Sequence, residues 1–221
     1  MPARLHVVDN PVLQGILLEL RDRETPRRRF RQLLELAGML LGYEAARSLP
    51  RRRRSVETPL GAHAEGIEVA DEEVVVVAVL RAALPMAVGV LRVLEDAELG
   101  LVAATRLEDT AKRTERGLVF DVESPYWKMP RIENRAVLLV DPMLATGSTL
   151  ARISADIAEK RPASITVVSL IATRTGIARV EEALAGQSFD LYAAAVDPML
   201  DERGFIVPGL GDAGDRAFGE A

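Results

Sequence analysis

Residues 136–150 read AVLLVDPMLATGSTL. Ala136 to Val140 form an apolar run without alternation, and Asp141 and Pro142 interrupt it. An unbroken run of this length, closed by a turn signal, suits a parallel strand covered on both faces, expected here over Val137–Val140. A helical pattern follows over Thr149–Glu159. Between them lie Thr146, Gly147, Ser148 and Thr149. No hydrophobic core calls for an aspartate, a glycine and three hydroxyls in one loop, whereas an anion does. A loop at a helix N-terminus directs its N–H groups outward, and the helix dipole favours negative charge there. Gly147 lets the backbone approach closely, and Thr146, Ser148 and Thr149 add hydroxyl donors. The stretch therefore fits a cradle for a phosphomonoester, with Asp141 as an acceptor for sugar hydroxyls. A plain strand–helix junction with Ser148 or Thr149 as N-cap satisfies the same pattern, so the residues alone leave both open. Neither G-x-x-x-x-G-K nor G-x-G-x-x-G is present.

Working outward, the β-branched run Val74–Val79 predicts a second buried strand, followed by a helix over Leu84–Leu94 and a strand over Leu99–Thr105. Strand Ile165–Ala172, helix Gly176–Leu184 and strand Leu191–Val196 complete the alternation. Strands alternating with helices imply βαβ units with right-handed crossovers. The expected class is α/β, with a mainly parallel central sheet flanked by helices and ligands beyond the carboxyl ends of the strands.

Towards the N-terminus, Val12–Leu20 and Thr25–Ser48 read as helices. The second has Phe30, Leu33, Leu34, Ala37, Leu40, Leu41 and Ala45 on one face, and Thr25 and Pro26 as N-cap and first position. Arg51–Arg54 read as a solvated turn, and VETPLGAHAEGIEV (56–69) as a hairpin around Pro59-Leu60-Gly61. Residues 106–130 are charged and poorly periodic, as in a mobile loop or loose hairpin; Trp127 within them suits packing better than a subunit contact. The tail DERGFIVPGLGDAGDRAFG (201–219) is too rich in glycine for either regular element. One domain, 1–221, accommodates all of this: arm and hairpin (1–70), α/β core (71–200) with a hood (106–130), and a C-terminal cap (201–221).

Composition narrows the function. The 221 residues are 48% hydrophobic, yet no run approaches the roughly 20 apolar residues of a membrane span, and the first residues lack a signal-peptide pattern, so a cytoplasmic protein is expected. A net charge of −5 argues against a nucleic-acid partner. There is no cysteine, and His6 and His63 stand far apart, which disfavours thiolate chemistry, metal clusters and histidine triads. Lysine occurs only at Lys112, Lys128 and Lys160; the other basic residues are arginines, suited to bidentate contacts with phosphate and carboxylate.

VDPMLATGST (140–149) resembles the 5-phosphoribosyl 1-diphosphate (PRPP) signature of type I phosphoribosyltransferases. The proline after the aspartate, together with VPGLGDAGDRAFG (207–219), narrows the resemblance to the uracil phosphoribosyltransferase family, and the changes at Ala82-Ala83, Ser148 and Phe205 resemble its archaeal-type branch. YEAARSL (43–49), LRAALPM (80–86) and WKMP (127–130) extend it over nearly the whole chain. The resemblance implies the type I phosphoribosyltransferase fold and conversion of uracil and PRPP to UMP and pyrophosphate in pyrimidine salvage. It places Ala145, Thr146, Gly147, Ser148 and Thr149 on the 5-phosphate, with Pro142, Met143 and Leu144 completing the PRPP loop. It also places Asp141 on the ribose hydroxyls, Arg81 on the pyrophosphate and Arg106 as a second phosphate ligand. Ile206, Gly211 and Ala213 would meet uracil through main-chain atoms, and Asp212 would serve base, PRPP and magnesium. Arg81, Asp141 and Asp212 form the implied catalytic set, and Mg2+ is held mainly by PRPP and water rather than by protein ligands.

The resemblance further implies a homodimer or homotetramer and GTP or CTP effectors, for which Arg28, Arg31 and Gln32 are candidates; a solvated helix face is the alternative. Departures from the usual family pattern are Ala82-Ala83 where a glycine pair is common, Ser148 where a second glycine is common, Phe205 for tyrosine and Glu220 for threonine. Two other functions remain to be weighed. A transferase for orotate would want a cation near the base, and GFIVPGLGDA (204–213) supplies none before Arg216. An RNA-binding regulator would need a basic face wider than Arg51–Arg54.

Overall fold

The computed structural model describes residues 3–114, 117–184 and 187–220, and excludes the side chains at 105, 106 and 108. Residues 115 and 116 of the expected hood lie outside the described residues. The chain runs β1 (Arg4–Val7), α1 (Pro11–Arg21), α2 (Arg27–Ala45), β2 (Arg51–Glu57), β3 (His63–Val69), β4 (Val74–Leu80), α3 (Leu84–Leu91), β5 (Glu98–Thr114), β6 (Gly117–Lys128), β7 (Ala136–Val140). It continues through β8 (Met143–Leu144), α4 (Ser148–Ala158), β9 (Ser164–Thr173), α5 (Arg174–Ala183), β10 (Asp190–Asp197), β11 (Met199–Leu200), β12 (Ile206–Val207) and α6 (Ala213–Phe218).

The main sheet has the order β1-β10-β9-β7-β4-β5-β6, with β8 also pairing with β9. Every neighbouring pair is parallel except β5 with β6. Central β4 and β7 are buried along nearly their whole length, as strands covered on both faces must be. The chain steps from β4 through α3 to β5 on one side, then returns to β7 on the other side of β4 and moves away through α4 to β9. Right-handed crossovers in opposite directions put α3 and α4 on opposite faces. The switch point therefore falls between β4 and β7, and a crevice opens at their carboxyl ends.

α1 begins with Asn10, whose side chain accepts the Val12 amide at 2.9 Å, and with Pro11 at the first position. α2 buries the expected face, with Leu40 half-buried at its margin. Thr25 does not cap it. Pro26 is the N-cap residue and makes no side-chain cap bond, while the Thr25 hydroxyl donates to the Glu19 carbonyl at 2.5 Å. The Glu19 carbonyl, which also accepts the Asp22 amide at 3.2 Å, uses its second lone pair for that hydroxyl.

Four further outcomes have physical causes. Arg51–Arg54 are not a turn but half of β2, paired with β3; Arg52 and Arg54 both pair with Glu68, at 2.6 and 3.1 Å, which balances charge across the ladder. The hood takes the hairpin alternative and not the loop: β5 and β6 run on as an antiparallel extension with register shifts at Ala103/Thr105 and Leu107/Lys112. β6 does alternate, from buried Phe120 through exposed Asp121 and Glu123, whereas residues 111–114 of β5 are all exposed and carry no inside–outside pattern. Trp127 lies opposite Val102 and packs on the core. The third outcome is the tail, which forms β12, paired with β11 just before it, and α6, and the fourth is β1, a four-residue edge strand too short to carry a pattern.

α2 and α3 approach until backbone meets backbone. A Cβ on Gly38 would lie 2.0 Å from the Met86 carbonyl oxygen, and one on Gly89 would lie 1.9 Å from that of Glu35. Gly38→Ala is therefore expected to force the helices apart and cost at least about 2 kcal/mol, read as a lowered urea midpoint with an unchanged m-value.

Candidate active site

At the switch point, Arg81 follows β4 and Asp141 follows β7. Between them opens a cleft of about 240 Å³, just under the roughly 300–1,000 Å³ common for small-molecule sites. Its floor is the loop from Asp141 to α4. The Asp141 backbone is held by β9: its amide donates to the Val168 carbonyl at 3.1 Å and its carbonyl accepts the Ser169 hydroxyl at 2.7 Å. The Asp141 carboxylate accepts the Met143 amide at 3.2 Å. Gly147, not Ser148 or Thr149, is the N-cap residue of α4 and sits at φ 80°, a conformation that favours glycine. The cap residue itself makes no side-chain bond; the Ser148 amide donates to the Thr146 hydroxyl at 3.4 Å, and the rest of the first turn brings the positive end of the dipole to the cleft.

The hydroxyls around it divide. Thr149 and Thr146 border the cleft. Ser148 is buried behind the loop, where its Oγ accepts the Phe120 amide at 3.2 Å and lies 3.2 Å from the Thr146 hydroxyl. Met143, Leu144, Ala145 and Gly147 also line the cleft, whereas Pro142 and Ser148 do not. The backbone of Arg106 lies opposite Val122 in the hood, and its side chain lies outside the described residues.

The tail forms the opposite wall. β11 and β12 pair, and the turn between them closes on Asp201, whose carboxylate accepts the amides of Phe205 at 2.8 Å and Arg203 at 2.9 Å. These bonds, the Phe205 amide foremost, hold the Asp201 carboxyl below its ordinary range. The turn presents Gly204, Phe205 and Ile206 to the cleft. Asp212 is the N-cap of α6 and accepts the Asp215 amide at 2.9 Å, and both carboxylates reach the cleft. Gly211 and Ala213 flank this cap without lining the cleft. Arg81 closes the gap between the walls, 3.1 Å from the Asp215 carboxylate and 3.4 Å from the Gly219 carbonyl.

Three arginines that carried no sequence signal hold this arrangement. Arg216 donates to the Leu210 carbonyl at 2.8 Å and to those of Leu20 and Asp22, and lies 4.2 Å over the Phe30 ring. Burial lowers its guanidinium from the ordinary value. Arg21 clamps Asp197 through two bonds of 2.8 and 2.7 Å and donates to the Gly209 carbonyl at 2.7 Å. Arg179 reaches the Thr146 carbonyl, in the loop before α4, from α5. Among the effector candidates, Arg31 donates to the Ala217 carbonyl at 2.7 Å, while Arg28 and Gln32 are exposed. One signal did exist for α6: Asp212 followed three residues later by Asp215 has the spacing of a capping box.

A doubly wound sheet with a helix N-terminus and an arginine at its switch point defines a nucleotide-type phosphate-binding enzyme of the α/β class. A profile of the uracil phosphoribosyltransferase family matches residues 7–220. Uracil phosphoribosyltransferases of Sulfolobus acidocaldarius and Pyrobaculum islandicum are 39% and 42% identical, over 97% and 99% of this chain and 99% of each relative. A solved structure of an Aquifex aeolicus protein superposes with a TM-score of 0.87 at 29% identity, over 98% of this chain and 99% of that one. The chain belongs to the uracil phosphoribosyltransferase family. None of its described helices is long and apolar enough to cross a membrane.

Arg216→Met would strip α6 of its anchor to the N-terminal arm. Hydrogen–deuterium exchange is expected to rise across residues 212–218 while the amides of β7 stay protected.

Proposed function

We infer that this chain transfers ribose 5-phosphate from PRPP to N1 of uracil, giving UMP and pyrophosphate. What carries this reading is the meeting, in one cleft, of the α4 N-terminus, Arg81 and the tail wall, in a chain of this family. Bond breaking at C1 of the ribose leaves a cation-like sugar and a departing pyrophosphate. The protein's task is then to position the partners and to stabilise charge, and needs no nucleophilic side chain.

The amides of the loop from Ala145 to Thr149, with the Thr146 and Thr149 hydroxyls, take the 5-phosphate. Ser148 serves from behind the loop, and Pro142 to Leu144 shape its approach. Asp141 accepts from the ribose hydroxyls. Arg81 takes the pyrophosphate. Its ion pair with Asp215 is about half exposed, and such pairs contribute only about 0–1 kcal/mol, so a multiply charged pyrophosphate displaces the carboxylate readily. Arg106 adds a second cation from the hood. Uracil, neutral and small, lies against the tail near Ile206, and the Gly211–Ala213 turn reaches it through Asp212, the member of that turn that lines the cleft. The hood excludes water from the reacting sugar.

The carboxylates of the cleft suit a hard cation that brings its own oxygen ligands. Asp141 and Asp212 border the cleft, yet among the described residues no three acidic or histidine side chains converge as a metal cage. Magnesium carried by PRPP oxygens and water fits that donor set. When bound it neutralises charge on the pyrophosphate, and Asp212 would hold its water shell. We further propose one cytoplasmic catalytic domain over 1–221, assembled as a homodimer or homotetramer. Arg28, Arg31 and Gln32 remain the proposed contact for a GTP or CTP effector, with Arg31 linking that surface to the end of α6.

With PRPP and magnesium, uracil is expected to be converted to its nucleotide in preference to hypoxanthine, adenine and orotate; chromatography that finds a purine nucleotide as the main product would overturn the assignment. Arg81→Ala is expected to lower kcat/KM by roughly 10²-fold or more, with a thermal midpoint close to wild type because only a half-exposed pair is lost. Titrating GTP and CTP into the same assay tests the effector surface, and a flat response to both would remove it.

A further inference from the structure

A trans peptide unit is planar and carries its C=O and N–H on opposite edges. Fixing where one carbonyl points therefore fixes where the next residue's amide points. In the phosphate loop two successive carbonyls are fixed from the same side. The Ala145 carbonyl accepts the Thr173 hydroxyl at 2.7 Å, and the Thr146 carbonyl accepts Nη1 of Arg179. Thr173 is also the N-cap of α5, accepting the Gly176 amide at 2.9 Å. The loop rests directly on α5, since a Cβ at Gly176 would lie 2.5 Å from the Ala145 carbonyl oxygen. The amides on the opposite edges of these two peptide units belong to Thr146 and Gly147. Among the described residues neither donates to a protein acceptor, which leaves both for a ligand.

Arg179 does more than its neighbour Thr173. The same Nη1 donates to the Leu118 carbonyl of β6 at 2.9 Å and lies 3.4 Å from Ser148 Oγ. One cationic nitrogen thus joins the phosphate loop to the hood strand. A charged donor on the Thr146 carbonyl also polarises that peptide unit and makes the Gly147 N–H a better donor.

We propose that Arg179 is a positioning residue for the 5-phosphate: without touching substrate, it holds the Thr146 carbonyl on the α5 side, keeps the Gly147 amide turned into the cleft, and ties the hood strand to the loop. This role deepens the function proposed above and presupposes that the loop is the 5-phosphate site.

Arg179→Met keeps the aliphatic stem and removes the donors, and Arg179→Lys restores one charged nitrogen, sufficient because the described bonds leave from Nη1 alone. The Met variant is expected to raise KM for PRPP and Kd for ribose 5-phosphate by roughly tenfold, the size of one lost charge-assisted bond. Binding of pyrophosphate, which lacks the 5-phosphate, should stay within about twofold of wild type, and the Lys variant should recover most of the loss. Equal weakening of ribose 5-phosphate and pyrophosphate, an unchanged KM for PRPP, or no recovery with lysine would each overturn the role. Should the Met variant not fold, Arg179→Gln carries the same comparison. Failure of the wild-type protein to bind ribose 5-phosphate, with pyrophosphate still bound, would overturn the assignment of the loop itself and this role with it.

Discussion

A phosphate monoester can be gripped by backbone only where amides are left without protein acceptors, and a folded interior tolerates almost none of those. The exception is the first turn of a helix. Everything around the cleft follows from placing such a turn at the end of a buried strand. β7 must be apolar on both faces to lie at the centre of the sheet, and its last residue must then pass directly into a loop that leads to α4. Gly147 in the left-handed region makes that passage short, and α5 supports it from behind through Thr173 and Arg179.

The second wall has a different origin. Residues 201–219 contain too few large apolar side chains to bury themselves, so they are fastened by charge. Arg216 inserts between α6 and the α1–α2 corner and satisfies three carbonyls at once, while Arg21 and Asp197 hold the turn at Gly209. Guanidinium suits this work because its donors lie in one plane, and its flat face packs on Phe30. The N-terminal arm is thereby part of the architecture of the cleft, even though none of its residues lines it. Arg31 of α2, donating to the Ala217 carbonyl near the end of α6, adds a second bond to the same connection.

Much of this was legible from residue pattern. The runs at Val74–Val79 and Val137–Val140, the helices between strands and the hydroxyl-rich loop all announced an α/β sheet with an anion site, because burial on both faces and helix periodicity leave direct marks on sequence. The resemblance in VDPMLATGST and the tail then selected the family. Where the pattern misled, the stabilising partner lay far away in sequence. Arg51–Arg54 became a strand because Glu68 faces them across a ladder. Thr25 is the local exception: its hydroxyl turned back to the Glu19 carbonyl at the end of α1, a contact between elements that no helix-start pattern signals. The β5 half of the outer hood is exposed, so it carried no alternation to read.

By itself the sequence determined the alternation of core strands and helices and the burial of β4 and β7, since these depend on hydrophobic period. Only the tertiary structure decided that Ser148 turns to Phe120 rather than to the cleft, that Arg81 meets Asp215, and that Arg179 and Arg216 are the cations that hold loop and tail. Those choices are competitions among several arginines for a few carbonyls and carboxylates. Distance in the folded chain, and the cost of leaving a buried acceptor without a donor, settle them.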